Sequence, residues 1–143
     1  MEEGPYKSEQ HPVSRRLAIF EDDGTCCYLY LTVPGNDAVV ADAFVYNRID
    51  APSRVEVHES EGQAPPLPRE YANAHTRCLD PASHRWSFQW SNDGESVAVL
   101  KDGEPIAFIV SASKPGFSKG VSHSGPWASE WSEEEYERHF GAA

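Results

Sequence analysis

Short runs of apolar and β-forming residues, interrupted by Asp-Gly pairs, dominate the chain from Leu17 onward. Residues 17–20 and 25–33 form two such runs, and Asp23-Gly24 lies between them. Runs of this composition without helix-type spacing are typical of β-strands, and Asp-Gly supplies the positive φ angles of a type I′ hairpin turn. The pattern therefore predicts an antiparallel hairpin.

A third strand is predicted over 38–48, with apolar residues on both of its faces. One face of this strand would carry Val40, Phe44 and Tyr46. The frequent alanines leave a helix over the same residues as the alternative, because alanine has the highest helix propensity. A short additional strand is predicted within 49–59.

The second half of the chain contains the clearest strand pattern. Aromatic residues alternate with serine and glutamine over 86–90, and apolar runs follow at 96–100 and 106–110. The pairs Asp93-Gly94 and Asp102-Gly103 separate these runs. We therefore expect a three-stranded antiparallel meander with two short turns.

Three segments lack this periodicity. Residues 60–83 contain four prolines, which cannot donate to a sheet ladder, so they predict a long ordered loop or a mobile flap. A short helix near 69–74 is an option within it. Residues 114–126 are rich in glycine, serine and lysine and predict a second loop. Residues 1–16 are polar and predict a flexible leader.

A capping box predicts one C-terminal helix. Ser132 is followed three residues later by Glu135, so the serine can accept a hydrogen bond from the Glu135 amide. Tyr136 and Phe140 are four residues apart and would form one apolar stripe that packs on the sheet. Gly141 would end the helix in the left-handed conformation.

These elements predict one mainly β domain over 17–143. Its architecture would be an antiparallel sheet or a β-sandwich of six to seven strands with one C-terminal α-helix. The alternative is an α+β fold with an extra helix drawn from 38–46 or 69–76. A chain of 143 residues is long enough to bury its own core without metals or disulfides.

Charge narrows the choice of partners. Acidic residues outnumber basic ones by 23 to 12, which gives a net charge of −11. Such a surface repels nucleic acid and anionic lipid, so the expected partner is a basic protein rather than nucleic acid or a membrane. No apolar run is long enough to span a bilayer, and the N-terminus has no signal-peptide pattern. We expect a cytoplasmic bacterial protein, either a monomer or a homodimer.

Motifs for catalysis or for a cofactor are not found in the sequence. No HExxH, CxxC, GxSxG or P-loop pattern occurs, so no metal and no cofactor is predicted. Cys26 and Cys27 are adjacent on a predicted strand, so their side chains should point to opposite faces as buried thiols. His75 and Cys78 could form a dyad only if their loop brought them together.

Two groups of residues are candidates for binding. An aromatic–acidic group at the C-terminal helix is a candidate partner-binding surface and consists of Trp127, Trp131, Glu133, Glu134 and Tyr136. A cationic group is a candidate anion or ligand site and consists of Lys114, Lys119 and His123, with glycines 116, 120 and 125 offering backbone amides.

Two functional hypotheses follow from these candidates. The first is a non-enzymatic protein-binding module of the immunity or inhibitor type, with the acidic surface engaging a basic partner. The second is a small-ligand-binding protein or hydrolase that uses a cleft beside loops 60–83 and 114–126. A deep pocket holding titratable groups would favour the second hypothesis.

Overall fold

The computed structural model describes residues 4–53, 65–111, 115–126 and 128–141. These residues form nine β-strands and one α-helix. The elements are β1 (Tyr6–Gln10), β2 (Leu17–Asp22), β3 (Cys26–Thr32), β4 (Val39–Asn47), β5 (Trp86–Trp90), β6 (Val97–Lys101), β7 (Glu104–Ile109), β8 (Phe117–Ser118), β9 (Ser129–Glu130) and α1 (Glu133–Phe140). The fold is mainly β with one C-terminal helix, as the sequence predicts.

The strands form two sheets that pack face to face. The first sheet has the order β1-β2-β3-β4 and is antiparallel throughout. The second has the order β5-β6-β7-β8-β9 and is antiparallel except for the β8–β9 pair, which is parallel. Neighbouring strands follow one another in sequence, because each antiparallel pair needs only a short connection.

One apolar core lies between the sheets and takes residues from both. Its fully buried members include Phe20, Leu29 and Leu31 from the first sheet and Val97, Val99 and Ile109 from the second. Burial of a side chain of this size contributes about 1.5–3 kcal/mol, so this core is the main source of stability.

Gly116 joins the two sheets at one side of the sandwich. Its amide donates to the Asp42 carbonyl of β4 at 2.7 Å, and its carbonyl accepts from the Ser129 amide of β9 at 2.9 Å. A Cβ atom at Gly116 would lie 2.5 Å from the Ala43 Cβ and 2.7 Å from the Phe108 carbonyl oxygen. Only glycine lets β4 approach the second sheet this closely.

Side chains join the sheets at the other side. The Trp90 Nε1 of β5 donates to the Glu9 carboxylate of β1 at 3.0 Å. The Arg16 guanidinium pairs with Glu95 at 2.8 Å. The sandwich is therefore held at both sides, by backbone on one and by side chains on the other.

The outer faces are covered as well. A second apolar cluster lies on the outer face of β3 and β4, where Leu67, Val121 and Ala128 cover Tyr28 and Phe44. The helix α1 lies on the outer face of the second sheet. There, the rings of Tyr136 and Phe140 pack against Phe108, at centroid distances of 5.8 and 5.7 Å, as the predicted apolar stripe requires.

The Asp-Gly pairs connect strands at all three predicted positions, but the type I′ turn predicted at Asp23-Gly24 does not form there and occurs at Asp102-Gly103 instead. Asp102 and Gly103 have φ angles of 52° and 87°, as a type I′ turn requires. At the other two connections only Gly24 and Gly94 have positive φ. There, carboxylates stabilise the turns instead: the Asp93 carboxylate accepts from the Ser91 hydroxyl at 2.8 Å and from the Glu95 amide at 3.0 Å.

A β-bulge corrects the predicted faces of β4. Cys27 pairs with Tyr46 and Tyr28 pairs with Phe44, so Val45 is an extra residue in β4. Tyr46 therefore enters the core between the sheets, whereas Phe44 belongs to the outer cluster. The shared face predicted for these two residues is wrong, and so is the alternative helix over 38–46.

Six of the predicted strands are confirmed, and the structure adds β1, β8 and β9. The strand β1 lies within the expected flexible leader of residues 1–16, and all of its residues are exposed. It is held by its ladder with β2 and not by an apolar face, so it has no alternating pattern. The strands β8 and β9 have two residues each, too few to show a period. The strand expected around Val55 and Val57 lies outside the described residues.

Three predictions for loops and caps are also resolved. The Ser132 hydroxyl accepts from the Glu135 amide at 3.2 Å, which confirms the cap of α1. Gly141 has a φ of −66°, so the predicted left-handed helix end is wrong. Instead of the optional helix near 69–74, a single 3-10 turn spans Arg69–Tyr71.

Replacing Gly116 tests the close approach of the two sheets. We expect Gly116→Ala to lower the free energy of unfolding by at least about 2 kcal/mol, because the new methyl group overlaps backbone and core atoms that cannot move independently. Urea unfolding measures the change. Gly35→Ala is the control: nothing lies within 4 Å of its Cβ position, so its cost should be the roughly 1 kcal/mol of its positive φ. An equal or smaller loss for Gly116→Ala would contradict the steric role.

The Asp93 turn predicts a pH dependence. The hydrogen bond from the Glu95 amide, and then that from the Ser91 hydroxyl, lower the pKa of Asp93 below its ordinary 3.8. This stabilisation is present above pH 3.8 and is lost as the pH falls through the lowered pKa. We therefore expect Asp93→Asn to be less stable than the wild type in urea unfolding near neutral pH, with a difference that shrinks below pH 3.8. Asp37→Asn, in an exposed turn, should show no such trend.

Candidate functional site

A pocket of about 600 Å³ opens at one end of the sandwich. The C-terminal end of β4, the start of β5 and the β6–β7 hairpin meet there. The floor consists of core residues, namely Val45, Tyr46, Cys78 and Trp86, with the partly buried Ile106 beside them. The volume is that of a small-molecule site, and polar atoms make up more of the accessible lining than apolar atoms do. We call it the end pocket.

Three basic side chains line the end pocket, namely Arg77, Lys101 and Lys119. Two of them have acidic partners. Arg77 pairs with Asp50, and the Lys119 ammonium lies 3.1 Å from the Glu104 carboxylate and 4.6 Å from the centre of the Trp131 ring. Lys101 forms no ion pair with any residue that the structure describes. It is the basic group most available to a ligand.

The Asn47 side chain positions the wall of the end pocket. It is fully buried at the end of β4, where its Oδ1 accepts from the Leu67 amide at 3.0 Å and its Nδ2 donates to the Leu67 carbonyl at 3.1 Å. The Asn47 backbone accepts from the Cys78 amide at 2.9 Å and donates to the Thr76 carbonyl at 2.7 Å. One residue thus attaches two separate parts of the 65–83 segment to the first sheet.

Cys78 is buried in the floor as a free thiol. Burial raises its pKa, while the Asp80 backbone amide and the Lys101 charge act in the opposite direction.

Cys26 and Cys27 are also buried free thiols, in the outer cluster and in the central core respectively, which confirms that their side chains point to opposite faces.

Next to the pocket floor, three side chains with metal-binding atoms lie close together. One ligand atom each from Cys78, Asp80 and His84 lies within 4.8 Å of the others. On the far side of the His84 ring, Nδ1 lies 2.7 Å from the Asp102 carboxylate. The pKa of Asp80 is lowered, first by the Ser83 hydroxyl and then by His84, and that of Asp102 is lowered first by the Arg85 amide. We call Cys78, Asp80 and His84 the Cys-Asp-His cluster.

No protein-family model, curated protein or solved structure significantly matches this chain. Function must therefore be argued from the geometry. Among the described residues, no helix is long and apolar enough to cross a membrane.

The structure separates the residues of the predicted anion site. Lys119 lines the end pocket, whereas His123 stacks on the Tyr71 ring at 4.8 Å and does not line it. Lys114 lies outside the described residues. The three glycine amides are engaged within the protein, since those of residues 116, 120 and 125 donate to Asp42, Ser118 and Ala128. They are not available to an anion, so this part of the prediction is wrong.

The predicted partner surface at α1 is more engaged with the sheet than its sequence indicates. The half-buried Trp131 packs edge-on against Phe108 at 5.1 Å, and its Nε1 donates to Glu133 at 2.9 Å. The Tyr136 hydroxyl donates to the Gln89 side chain at 2.6 Å. Glu133 and Glu134 are exposed. Trp127 lies outside the described residues.

Sequence reasoning placed a cleft beside loops 60–83 and 114–126, and the end pocket lies there. It did not identify Arg77, Lys101 or His84. The signal for the Cys-Asp-His cluster is local, because its residues fall within a seven-residue stretch directly before β5. A search for pairs of cysteine or histidine in known spacings does not find it.

Substitution of Asn47 tests what holds the pocket wall. Asn47→Asp keeps an acceptor for the Leu67 amide but cannot donate to the Leu67 carbonyl, and it buries a charge. We expect it to lower the free energy of unfolding by about 3 kcal/mol or more, measured by urea unfolding. Asn36→Asp is the matched control, because the exposed Asn36 only accepts, from the Ala38 amide at 2.8 Å. If the two variants were equally stable, the role of Asn47 would be refuted.

Proposed function

We propose that this protein binds a small molecule with an apolar body and an anionic group in the end pocket. The observation that supports this most directly is the pairing of an apolar floor with basic side chains at one opening. The apolar body would lie on Tyr46 and Trp86, and the anionic group would contact Lys101. Arg77 lines the same pocket and would add to the attraction.

The overall charge makes this arrangement informative. The chain has only 12 basic residues and a net charge of −11, yet three of the 12 line one pocket. Away from the pocket the field repels anions, so a local cluster of basic groups is the place where an anion can be held. The basic groups at the pocket therefore support a binding site that selects its ligand by charge.

Two acids line the pocket as well and reduce the positive charge that a ligand meets. Glu104 is paired with Lys119. Asp102 accepts from the Arg85 amide at 2.8 Å and contacts His84, and its pKa is lowered first by that amide, with the Lys101 charge contributing. Lys101 forms no ion pair with any described residue, which supports it as the group that contacts the ligand anion.

The alternative of a protein-binding module of the immunity or inhibitor type stays a prediction. The exposed Glu133 and Glu134 suit a basic partner, but the rings of Trp131 and Tyr136 are engaged against the second sheet. A hot spot normally presents its aromatic groups to the partner. The end pocket has the stronger support, and a cytoplasmic location is part of the proposal.

The experiment compares two probes that differ in charge, 1-naphthoate and the neutral 1-naphthalenemethanol. Binding is followed by isothermal titration calorimetry with the full chain. We expect naphthoate to bind at one site and more tightly than the alcohol, with an affinity that falls as salt rises. Lys101→Met should weaken naphthoate binding by about tenfold, the loss of one charge-assisted contact, and should leave binding of the alcohol unchanged.

Lys7→Met is the matched control, because Lys7 is an exposed residue of β1 and does not line the pocket. It removes the same charge from the chain without touching the site. Equal binding of the two probes, or an equal effect of Lys7→Met and Lys101→Met, would show that the pocket does not select for anions.

A further inference from the structure

We propose that Cys78, Asp80 and His84 form a binding site for a divalent transition metal of the zinc class. The cluster is independent of the anion proposal, although Cys78 belongs to both the cluster and the pocket floor. A thiolate, a carboxylate and an imidazole are the three ligand types that zinc takes from proteins.

The distances are close to those that a metal needs. The three ligand atoms lie within 4.8 Å of one another. In a tetrahedral zinc site, bonds of about 2.0–2.3 Å place ligand atoms roughly 3.3–3.8 Å apart. The His84 Nε2 is already 3.3 Å from the Asp80 carboxylate. The distances left to shorten are those to the buried Cys78 thiol, by about 1 Å at most, through movement of the exposed Asp80 and half-buried His84 side chains.

Outer partners orient two of the three ligands. The Asp102 carboxylate lies 2.7 Å from the His84 Nδ1 and accepts from the Arg85 amide, so it is itself held in place. A carboxylate on Nδ1 keeps the proton there and leaves the Nε2 lone pair for a metal, which is the usual arrangement in zinc sites. The Ser83 hydroxyl contacts the second oxygen of Asp80 at 2.9 Å.

The backbone between the ligands is also held. The Cys78 amide donates to Asn47, and a 3-10 turn spans Pro81–Ser83 between Asp80 and His84. The Trp86 Nε1 donates to the Pro81 carbonyl at 2.9 Å, which attaches this turn to the core. Little conformational entropy remains to be lost on binding, because the chain on both sides of the ligands is already ordered.

The choice of metal follows from the ligands. Magnesium and calcium take oxygen ligands, so a site with one thiolate and one imidazole favours zinc or a similar transition metal. Three protein ligands leave a fourth position for water or another ligand. Because Cys78 and Asp102 also line the end pocket, the bound metal would lie at its border.

A purely structural role for His84 is the competing explanation. A protonated His84 can donate to Asp80 and Asp102 together and so link the 78–84 segment to the β6–β7 hairpin. That role needs neither a metal nor the Cys78 thiol. Participation of the thiol therefore separates the two explanations.

Cobalt(II) provides the test, because a thiolate ligand gives a Co²⁺ complex an intense charge-transfer absorption that oxygen and nitrogen ligands do not. The full chain, with its thiols reduced and metals removed, is titrated with Co²⁺ and then with Zn²⁺. We expect a 1:1 complex with this absorption, which Zn²⁺ removes by displacement. Cys78→Ser should abolish the absorption, and His84→Asn, at a more exposed position, should weaken Co²⁺ binding more than about 100-fold.

Two further variants complete the test. Asp102→Asn should weaken Co²⁺ binding by about 10- to 100-fold while the absorption at saturation is kept, as expected for an outer partner. His123→Ala removes an exposed histidine outside the cluster and should change nothing. Circular dichroism checks that each variant is folded. Absence of the charge-transfer absorption, or an equal effect of His123→Ala and His84→Asn, would overturn the proposal.

The two proposals fail separately. Lys101→Met should keep the thiolate charge-transfer absorption of the saturated Co²⁺ complex, because a lysine near the cluster supplies no ligand. If naphthoate binds and Co²⁺ does not, the proposal for the end pocket stands and the proposal for the metal site fails. If Co²⁺ binds and naphthoate does not, the metal site stands and the end-pocket proposal fails.

Discussion

The buried Asn47 amide is the interaction on which the position of the 65–83 segment, and with it the end pocket, depends. It lies at the end of β4, just after the bulge that turns Tyr46 into the core, and its side chain and backbone together bind Leu67, Thr76 and Cys78. The 65–83 segment has only one residue in a β-bridge with the first sheet, so these bonds replace a continuous ladder. The free energy lost by leaving the buried Asn47 amide without partners is larger than the free energy that its hydrogen bonds contribute. Arrangements of the segment that do not satisfy this amide are therefore disfavoured.

This attachment brings chemically useful groups to one end of the sandwich. Between the attached segment and the second sheet lies the end pocket, with Lys101 facing it from β6. The same segment continues into Cys78, Asp80 and His84, and Asp102 of the β6–β7 turn completes the surroundings. The end pocket, proposed to bind an anion, and the candidate metal site thus share one wall, and both depend on how residues 76–84 leave the end of β4.

The sequence predicted the elements whose buried residues form a local pattern, and it did not predict the elements that lack one. The hairpin after Leu17, the meander over 86–110 and the helix with its Ser132 cap were predictable, because alternation and capping are local signals. The strand β1 was missed since an exposed edge strand needs no apolar face, and the two-residue strands β8 and β9 are too short to show one. The bulge at Val45 could not be foreseen, because it depends on how β4 pairs with β3.

By itself, the sequence determined the fold class, the Asp-Gly connections, the helix cap and the acidic charge, all of which depend on neighbouring residues or on composition. It also proposed a cleft beside loops 60–83 and 114–126, and residues of both loops line the end pocket. Only the tertiary structure decided that the glycine amides of 114–126 are used internally, that Trp131 packs on the sheet, and that Lys101 and Asp102 meet Cys78 and His84. The antiparallel pairing of β5 with β6 in the second sheet, in which Trp86 is opposite Lys101, brings His84 near Lys101 and Asp102. Cys78 reaches the same place because its amide is bonded to Asn47 at the end of β4, a contact between distant residues that sequence spacing does not encode.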